Sequence, residues 1–304
     1  MGRMRKGIKY VATNYQLYIL MAWVMAWHII FRYFPIYGLQ MAFMEYNPIK
    51  GFSGSPWVGL DQFVKLFKGL FFIPALRNTV VLSFYSLIVG FPFPIILALS
   101  LNTLKDSFFK KSVQTVSYAP HFISTVVIVG MLKLFLSPST GFINHLIEFL
   151  GGTRTNFFGD TSWFSHLYVW SGVWQSTGWS AVIYFAALAG INPELHEAAT
   201  VDGASRVRRI WHIDLPGILP TTIILLIMSS ANIVNVGFEK AFLMQTPLNL
   251  STSEIISTYA YKVGMLQSLY SFSAAVGFFN SFVTFVLLMI INAISRRLSE
   301  TSLW

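Results

Sequence analysis

Six apolar runs recur along this chain, at residues 15–34, 76–101, 113–136, 163–189, 218–236 and 272–294. A helix needs about 20 such residues to cross the hydrocarbon of a bilayer, and inside it only helices or closed barrels satisfy every backbone N–H and C=O. The expectation is an all-α membrane protein with six transmembrane helices. Composition agrees, since 55% of the 304 residues are hydrophobic and 11% charged, too apolar a balance for an ordinary soluble domain. Cysteine is absent, which excludes disulfides, zinc–cysteine sites and iron–sulfur clusters.

A net charge of +9 could suggest nucleic acid, but topology accounts for it. Six spans put both termini, the 104–111 connection and the break after the fourth run on one side. That side holds twelve bases: Arg3, Arg5, Lys6, Lys9, Lys105, Lys110, Lys111, Arg206, Arg208, Arg209, Arg296 and Arg297. The opposite loops hold six, Lys50, Lys65, Lys68, Arg154, Lys240 and Lys262. Lys and Arg collect on cytoplasmic flanks, so the richer side is expected to face the cytosol and no nucleic-acid partner is expected. The first run has a cleaved signal peptide as its rival reading. It exceeds a signal peptide's apolar core, and Arg32-Tyr33-Phe34-Pro35 offers no small-residue cleavage site, so an uncleaved span is preferred. The expected organisation is a cytoplasmic N-terminus at 1–14, a transmembrane domain at 15–295 and a cytoplasmic C-terminus at 296–304.

Prolines and turn formers subdivide this frame. Pro92 and Pro94 predict a kink in the second run, and Pro120-His121 interrupts the third. Residues 37–73 read as an exposed loop ending in an amphipathic helix, and a short helix is expected at 253–262. The longest strongly polar interval between two apolar runs is Glu197 to Pro220, which overlaps a loop expected at 191–217. Pro193 suits a first helical turn and Glu194 and Glu197 its dipole; Ala198, Ala199, Val201 and Ala204 give a small apolar face. Asp202-Gly203 then permits a reversal, and Leu215-Pro216 with Pro220 marks a second helix starting.

Catalytic patterns are missing. There is no GxxxxGK[ST] loop, HExxH, GxSxG or pair of acids within a run, and the histidines at 28, 121, 145, 166, 196 and 212 show no metal-ligand spacing. Every Asp and Glu falls in a loop or at a run's edge, unlike a proton-coupled carrier, so any driving force must come from elsewhere.

The polar interval carries a pattern: Glu197-Ala198-Ala199, Asp202-Gly203-Ala204, Ile213, Leu215-Pro216 and Pro220. This resembles the signature of the membrane subunits of binding-protein-dependent ABC importers, with Ile210 where many relatives carry Phe. The resemblance runs from the second apolar run to the end. It implies the six-span type I importer fold with a cytoplasmic coupling helix. Glu197, Ala198, Ala199, Asp202, Gly203, Ala204, Leu215 and Pro216 would then engage an ABC ATPase dimer. It also implies a second homologous permease, an extracellular or periplasmic solute-binding protein, and no cofactor of the chain's own, ATP and magnesium belonging to the ATPase.

The segment from Pro35 to Phe43, followed by Tyr46-Asn47-Pro48 and Trp57-Val58-Gly59-Leu60-Asp61-Gln62-Phe63, is similar to the sugar branch, and more narrowly to permeases for oligosaccharides and polysaccharide fragments. Sugars present apolar CH faces and rings of hydroxyls, which aromatic plates and amides match. Trp174, Gln175, Ser176 and Trp179 in the fourth run, with Trp170 and Thr177 beside them, and Asn232 and Asn235 in the fifth supply those groups. In the maltose transporter's membrane subunits the equivalent spans contact sugar. Aromatic belts and interhelical amides are the plainer explanation of the same residues. Other solutes, such as amino acids, peptides or polyols, an intramembrane transferase and a non-transporting scaffold are the competing readings.

Overall fold

The computed structural model of the chain describes residue 10 and residues 13–105, 107–231 and 236–298. These are mostly helical, with no β-strand among them and one isolated antiparallel bridge between Met44 and Trp57. The chain divides into two compact units, residues 1–68 with 263–278 and residues 69–262 with 279–304.

In the first unit, α1 (Tyr15–His28) is apolar all round and buries none of its side chains, so its surface is left for lipid or a partner chain. The helical path continues past residue 34, where the apolar run was expected to end. A π-turn (Ile29–Tyr33) leads into a 3-10 segment (Phe34–Phe43), giving one stretch from Tyr15 to Phe43. Pro35 explains the switch. Its ring would clash in an ordinary turn, and the wider turn before it lets the Phe34 N–H reach back to the Ile29 carbonyl. The following loop closes on itself: the Val58 N–H donates to the Phe43 carbonyl at 2.9 Å and the Glu45 N–H to that of Pro56 at 2.9 Å. Phe43 stacks on Trp57 with ring centroids 5.7 Å apart and meets Phe278 edge-on. The amphipathic α2 (Asp61–Lys68) buries Gln62 and Leu66 beneath this loop's start.

The second unit begins with α3 (Phe72–Gly90) and α4 (Pro92–Asn102), interrupted at Phe91 where Pro92 and Pro94 start a new first turn. Next come α5 (Phe108–Tyr118), α6 (Thr125–Phe135), α7 (Phe142–Phe149) and α8 (Trp163–Ala189). After them run α9 (Pro193–Val201), α10 (Arg206–Arg209), α11 (Leu215–Ala231), α12 (Phe238–Met244), α13 (Ile256–Tyr261) and α14 (Tyr270–Leu298), the last shared with the first unit. The 27-residue α8 packs against α3, α4, α5 and α11. One core patch joins its Phe164, Tyr168 and Val173 to Leu82, Val129 and Met244; another joins its Ala181, Tyr184 and Leu188 to Ala98 and Ile218. Between them α5 passes so close that a Cβ on Gly178 would overlap the Ser117 carbonyl.

The third apolar run is not one straight helix. Residues 108–122 and 125–135 meet at 99°. Pro120 sits in the 3-10 turn at the corner, and the Gln175 amide donates to the carbonyl of half-buried Ile123 at 3.0 Å. His121 lies flat on Trp179 at 4.7 Å, and Ser124 caps the restart. Among the described residues four stretches are long and apolar enough to cross a bilayer, Tyr15–Phe43, Phe72–Asn102, Arg206–Ser230 and Tyr270–Ile290; the bent pair makes five. At about 1.5 Å per residue α8 is also long enough, but serines and Gln175 dilute its apolar character.

Beyond α11 the short helix expected at 253–262 is α13, preceded by α12 and a turn at Leu250–Ser253 and followed by a π-turn at Lys262–Leu266. Buried Asn249 organises them. Its amide donates to the Phe158 and Met244 carbonyls at 3.0 and 3.1 Å, and its oxygen accepts from the Thr246 N–H and the Ser253 hydroxyl.

Candidate functional site

The polar interval forms a helix, a reversal and a second helix, as its residues suggest. Asn192 accepts from the Glu194 N–H at 3.0 Å and caps α9, with Pro193 in the first turn. The far end closes as a Schellman motif. Ala204 N–H reaches the Ala199 carbonyl at 2.8 Å, Gly203 N–H reaches that of Thr200 at 3.1 Å, and Gly203 sits at φ +74°. Asp202 is the C-cap, its own N–H on the Ala198 carbonyl at 3.0 Å.

The second helix starts earlier than Leu215-Pro216. Ser205 caps it, accepting from the Arg208 N–H at 3.3 Å, and α10 runs through a π-turn (Ile210–Asp214) into α11. The reason repeats the one at Pro35: each π-turn ends two residues before a proline, and the Leu215 N–H reaches back to the Ile210 carbonyl. Leu215 and Pro216 therefore lie inside a continuous helix leading into the fifth apolar run.

Glu197, Ala198, Asp202 and Gly203 are exposed, while Ala199 and Ala204 are half-buried. The inner side of α9 is anchored. His196 Nε2 lies 3.3 Å from Asp214 Oδ1, the Asn102 amide donates to that same oxygen at 3.2 Å, and Arg209 donates to the Thr200 hydroxyl at 2.9 Å. Asp214 is 2% exposed. The motif thus presents Glu197 outwards while α9 is tied to α4 and to the helix entering the fifth run.

Across the middle of the unit lies a cavity of about 660 Å³. Ser83 and Ser86 of α3, Ser176, Trp179 and Ser180 of α8 and Ser229 of α11 line it, with Tyr168 and Tyr184 at α8's two ends of it. Among the described residues no charged side chain lines it. The Ser83 and Ser176 hydroxyls donate to carbonyls of their own helices at 2.6 and 2.8 Å, leaving oxygen lone pairs to accept.

Of the residues singled out for a sugar path, Ser176 and Trp179 line this cavity. Trp174 lies on a different, apolar groove of about 410 Å³ between α6 and α8, with Trp163 and Trp170. Gln175 spends its amide on Ile123. Asn232 and Asn235 lie outside the described residues. The other cavity serines come from segments far apart in sequence. One signal was available: Tyr168, Gly172, Ser176, Ser180 and Tyr184 recur every four residues, a small polar stripe on an apolar helix.

Lys240 of α12, between the fifth and sixth apolar runs, also reaches α8. It donates to the Tyr168 carbonyl at 2.8 Å, and its ammonium lies 4.8 Å from the centroid of that ring. Burial pushes its pKa down to about 8. Among the described residues no three His, Asp or Glu gather closely enough to hold a metal ion.

Comparison with known proteins places this geometry. Residues 90–300 match the model of the family described as binding-protein-dependent transport system inner membrane component. Over 302 residues the chain is 39% identical to the polygalacturonan/rhamnogalacturonan transport system permease protein YteP of Bacillus subtilis (strain 168), covering 99% of this chain and 94% of that one. It is 40% identical to protein LplB of the same organism, covering 98% and 95%. A crystal structure of a bacterial ABC transporter involved in import of the acidic polysaccharide alginate contains a chain 40% identical. It superposes with a TM-score of 0.89 over 96% of this chain and 98% of that one.

Proposed function

Since this chain belongs to the family of binding-protein-dependent transport inner membrane components, and is a multi-pass permease subunit rather than an enzyme, we propose that its cargo is an oligosaccharide or polysaccharide fragment. The observation that carries this reading is the cavity. Serine hydroxyls, tyrosines and Trp179 line a space of about 660 Å³, within the range of small-molecule sites. Aromatic faces suit the CH face of a pyranose and hydroxyls suit its rim. An amino acid would need fixed charges of both signs for its two ionised groups, and among the described residues no carboxylate or cation lines the space, Lys240 lying behind it. The names of the relatives point the same way.

In this reading the chain crosses the membrane six times with both termini in the cytosol, and forms half of the path beside a second homologous permease. An ABC ATPase dimer, which holds ATP and magnesium, grips the exposed face of α9 through Glu197 and the small Ala198 and Ala199. The buried Asp214 node transmits its movement to α4 and α11. A solute-binding protein delivers the sugar from outside. The test is uptake by proteoliposomes holding the complete complex and its binding protein. ATP-dependent accumulation of radiolabelled oligosaccharide supports the proposal; accumulation of labelled amino acid or peptide but no saccharide overturns it.

A further inference from the structure

Lys240 is an unusual residue to find against α8. A partly buried ammonium normally has a carboxylate partner, yet among the described residues no ion pair includes it. Its sequence neighbour Glu239 is exposed. What it has instead is a carbonyl and a ring face, both from Tyr168.

Its position follows from a missing side chain. Tyr168, Gly172 and Ser176 are spaced by four and so share one face of α8, and Tyr168 and Ser176 both line the cavity. A Cβ built on Gly172 would lie 3.2 Å from the ammonium. The lysine tip therefore fills the place that Gly172 leaves open, one turn from each of the cavity-lining Tyr168 and Ser176 and behind the lining itself. Gly237, which also lines the cavity, packs near the Tyr168 hydroxyl on the segment that leads into Lys240.

We propose that Lys240 is the charge-selecting element of this path: its ammonium, without a carboxylate partner among the described residues and set against α8 at Gly172 between the cavity-lining Tyr168 and Ser176, favours saccharides that carry carboxylates, such as uronic-acid oligomers. The inference rests on the carbohydrate reading and narrows it to acidic sugars. A positive charge in a poorly hydrated wall attracts an anion across several ångströms without touching it, and a passing carboxylate completes the pair that the fold leaves open. The serines and Trp179 recognise what all pyranoses share; Lys240 distinguishes their charge.

The experiment compares trigalacturonate with its methyl ester, which keeps the skeleton and removes the charge, in proteoliposomes carrying the complete transporter. The wild-type complex is expected to prefer the acid, and Lys240→Met to lower the acid-to-ester ratio of kcat/KM about tenfold, roughly 1.4 kcal/mol, with Lys240→Arg retaining it. Because the binding protein is common to both complexes, its own preference cancels in that comparison. An unchanged ratio in Lys240→Met, or equal loss of acid and ester transport, overturns the proposal. Should Lys240→Met fail to assemble, thermal unfolding of the wild-type complex without binding protein decides. Stabilisation by trigalacturonate and not by the ester supports the charge role; equal stabilisation, or none, overturns it. Transport of neither saccharide by the wild type, like equal transport of both, would overturn the acidic-sugar proposal, whereas accumulation of labelled amino acid or peptide and no saccharide would overturn the carbohydrate reading itself.

Discussion

The loop at 191–217 and the cavity across α8 are built by opposite means. The loop is local: Asn192, Gly203 and Ser205 each act on backbone groups within five residues of themselves. The cavity is distributed, its walls drawn from residues 83 to 237 and meeting only because α3, α8 and α11 pack together. A local device can be exposed and still keep its shape, which is what a surface gripped by another subunit requires. A distributed one depends on every close approach in the unit. Sequence changes should therefore damage the two in different ways.

The largest effect is expected at the closest approach. Gly178→Val would drive a side chain into the Ser117 carbonyl, where backbone cannot move aside cheaply, lowering stability by about 3 kcal/mol. Thermal unfolding in detergent measures it, and an unchanged midpoint would mean that α5 and α8 can separate without loss. Next, Gln175→Ala would leave the Ile123 carbonyl of the 99° corner unpaired, at a cost of about 2 kcal/mol. If sugar transport falls while the midpoint holds, Gln175 serves the path more than the corner. Smaller still, Gly203→Ala meets nothing within 4 Å, so only the left-handed backbone at φ +74° opposes it, by about 1 kcal/mol. Hydrogen exchange should quicken at Ala204 and remain unchanged along α8; quickening along α8 would show that the loop is not locally held. Ser176→Ala sits at the bottom of the scale. Its hydroxyl bonds its own helix, so stability shifts by a few tenths of a kcal/mol, about the ordinary limit for a minor site, and KM for the saccharide carries the signal.

This contrast also explains what could be read from residues alone. The six apolar runs, the amphipathic α2 and the caps of α9 follow from short-range rules of spacing and turn chemistry. The start of the second helix at Ser205 was hidden because Pro216 and Pro220 look like helix starts, and π-turns that accommodate a proline leave no mark in composition. The bend after Pro120 was visible as an interruption, but not its 99° angle, which Gln175, His121 and Trp179 hold from outside the segment. Asn249, Asp214 and Lys240 were unremarkable as loop residues. Their weight comes from what the fold brings to them: two carbonyls from 158 and 244, a histidine and an amide from 196 and 102, and a glycine gap at 172.

The central claim is that an exposed local device drives a distributed path that this chain cannot power by itself. It is tested most directly by measuring ATP hydrolysis and saccharide uptake together in proteoliposomes of the complete complex bearing Glu197→Ala. Glu197 is exposed and forms no hydrogen bond or ion pair to a described residue, so assembly and thermal midpoint should stay as in the wild type. Saccharide moved per ATP should fall about tenfold, the scale of one lost charge-assisted contact. Uptake and hydrolysis at wild-type levels in the assembled mutant complex would contradict the account.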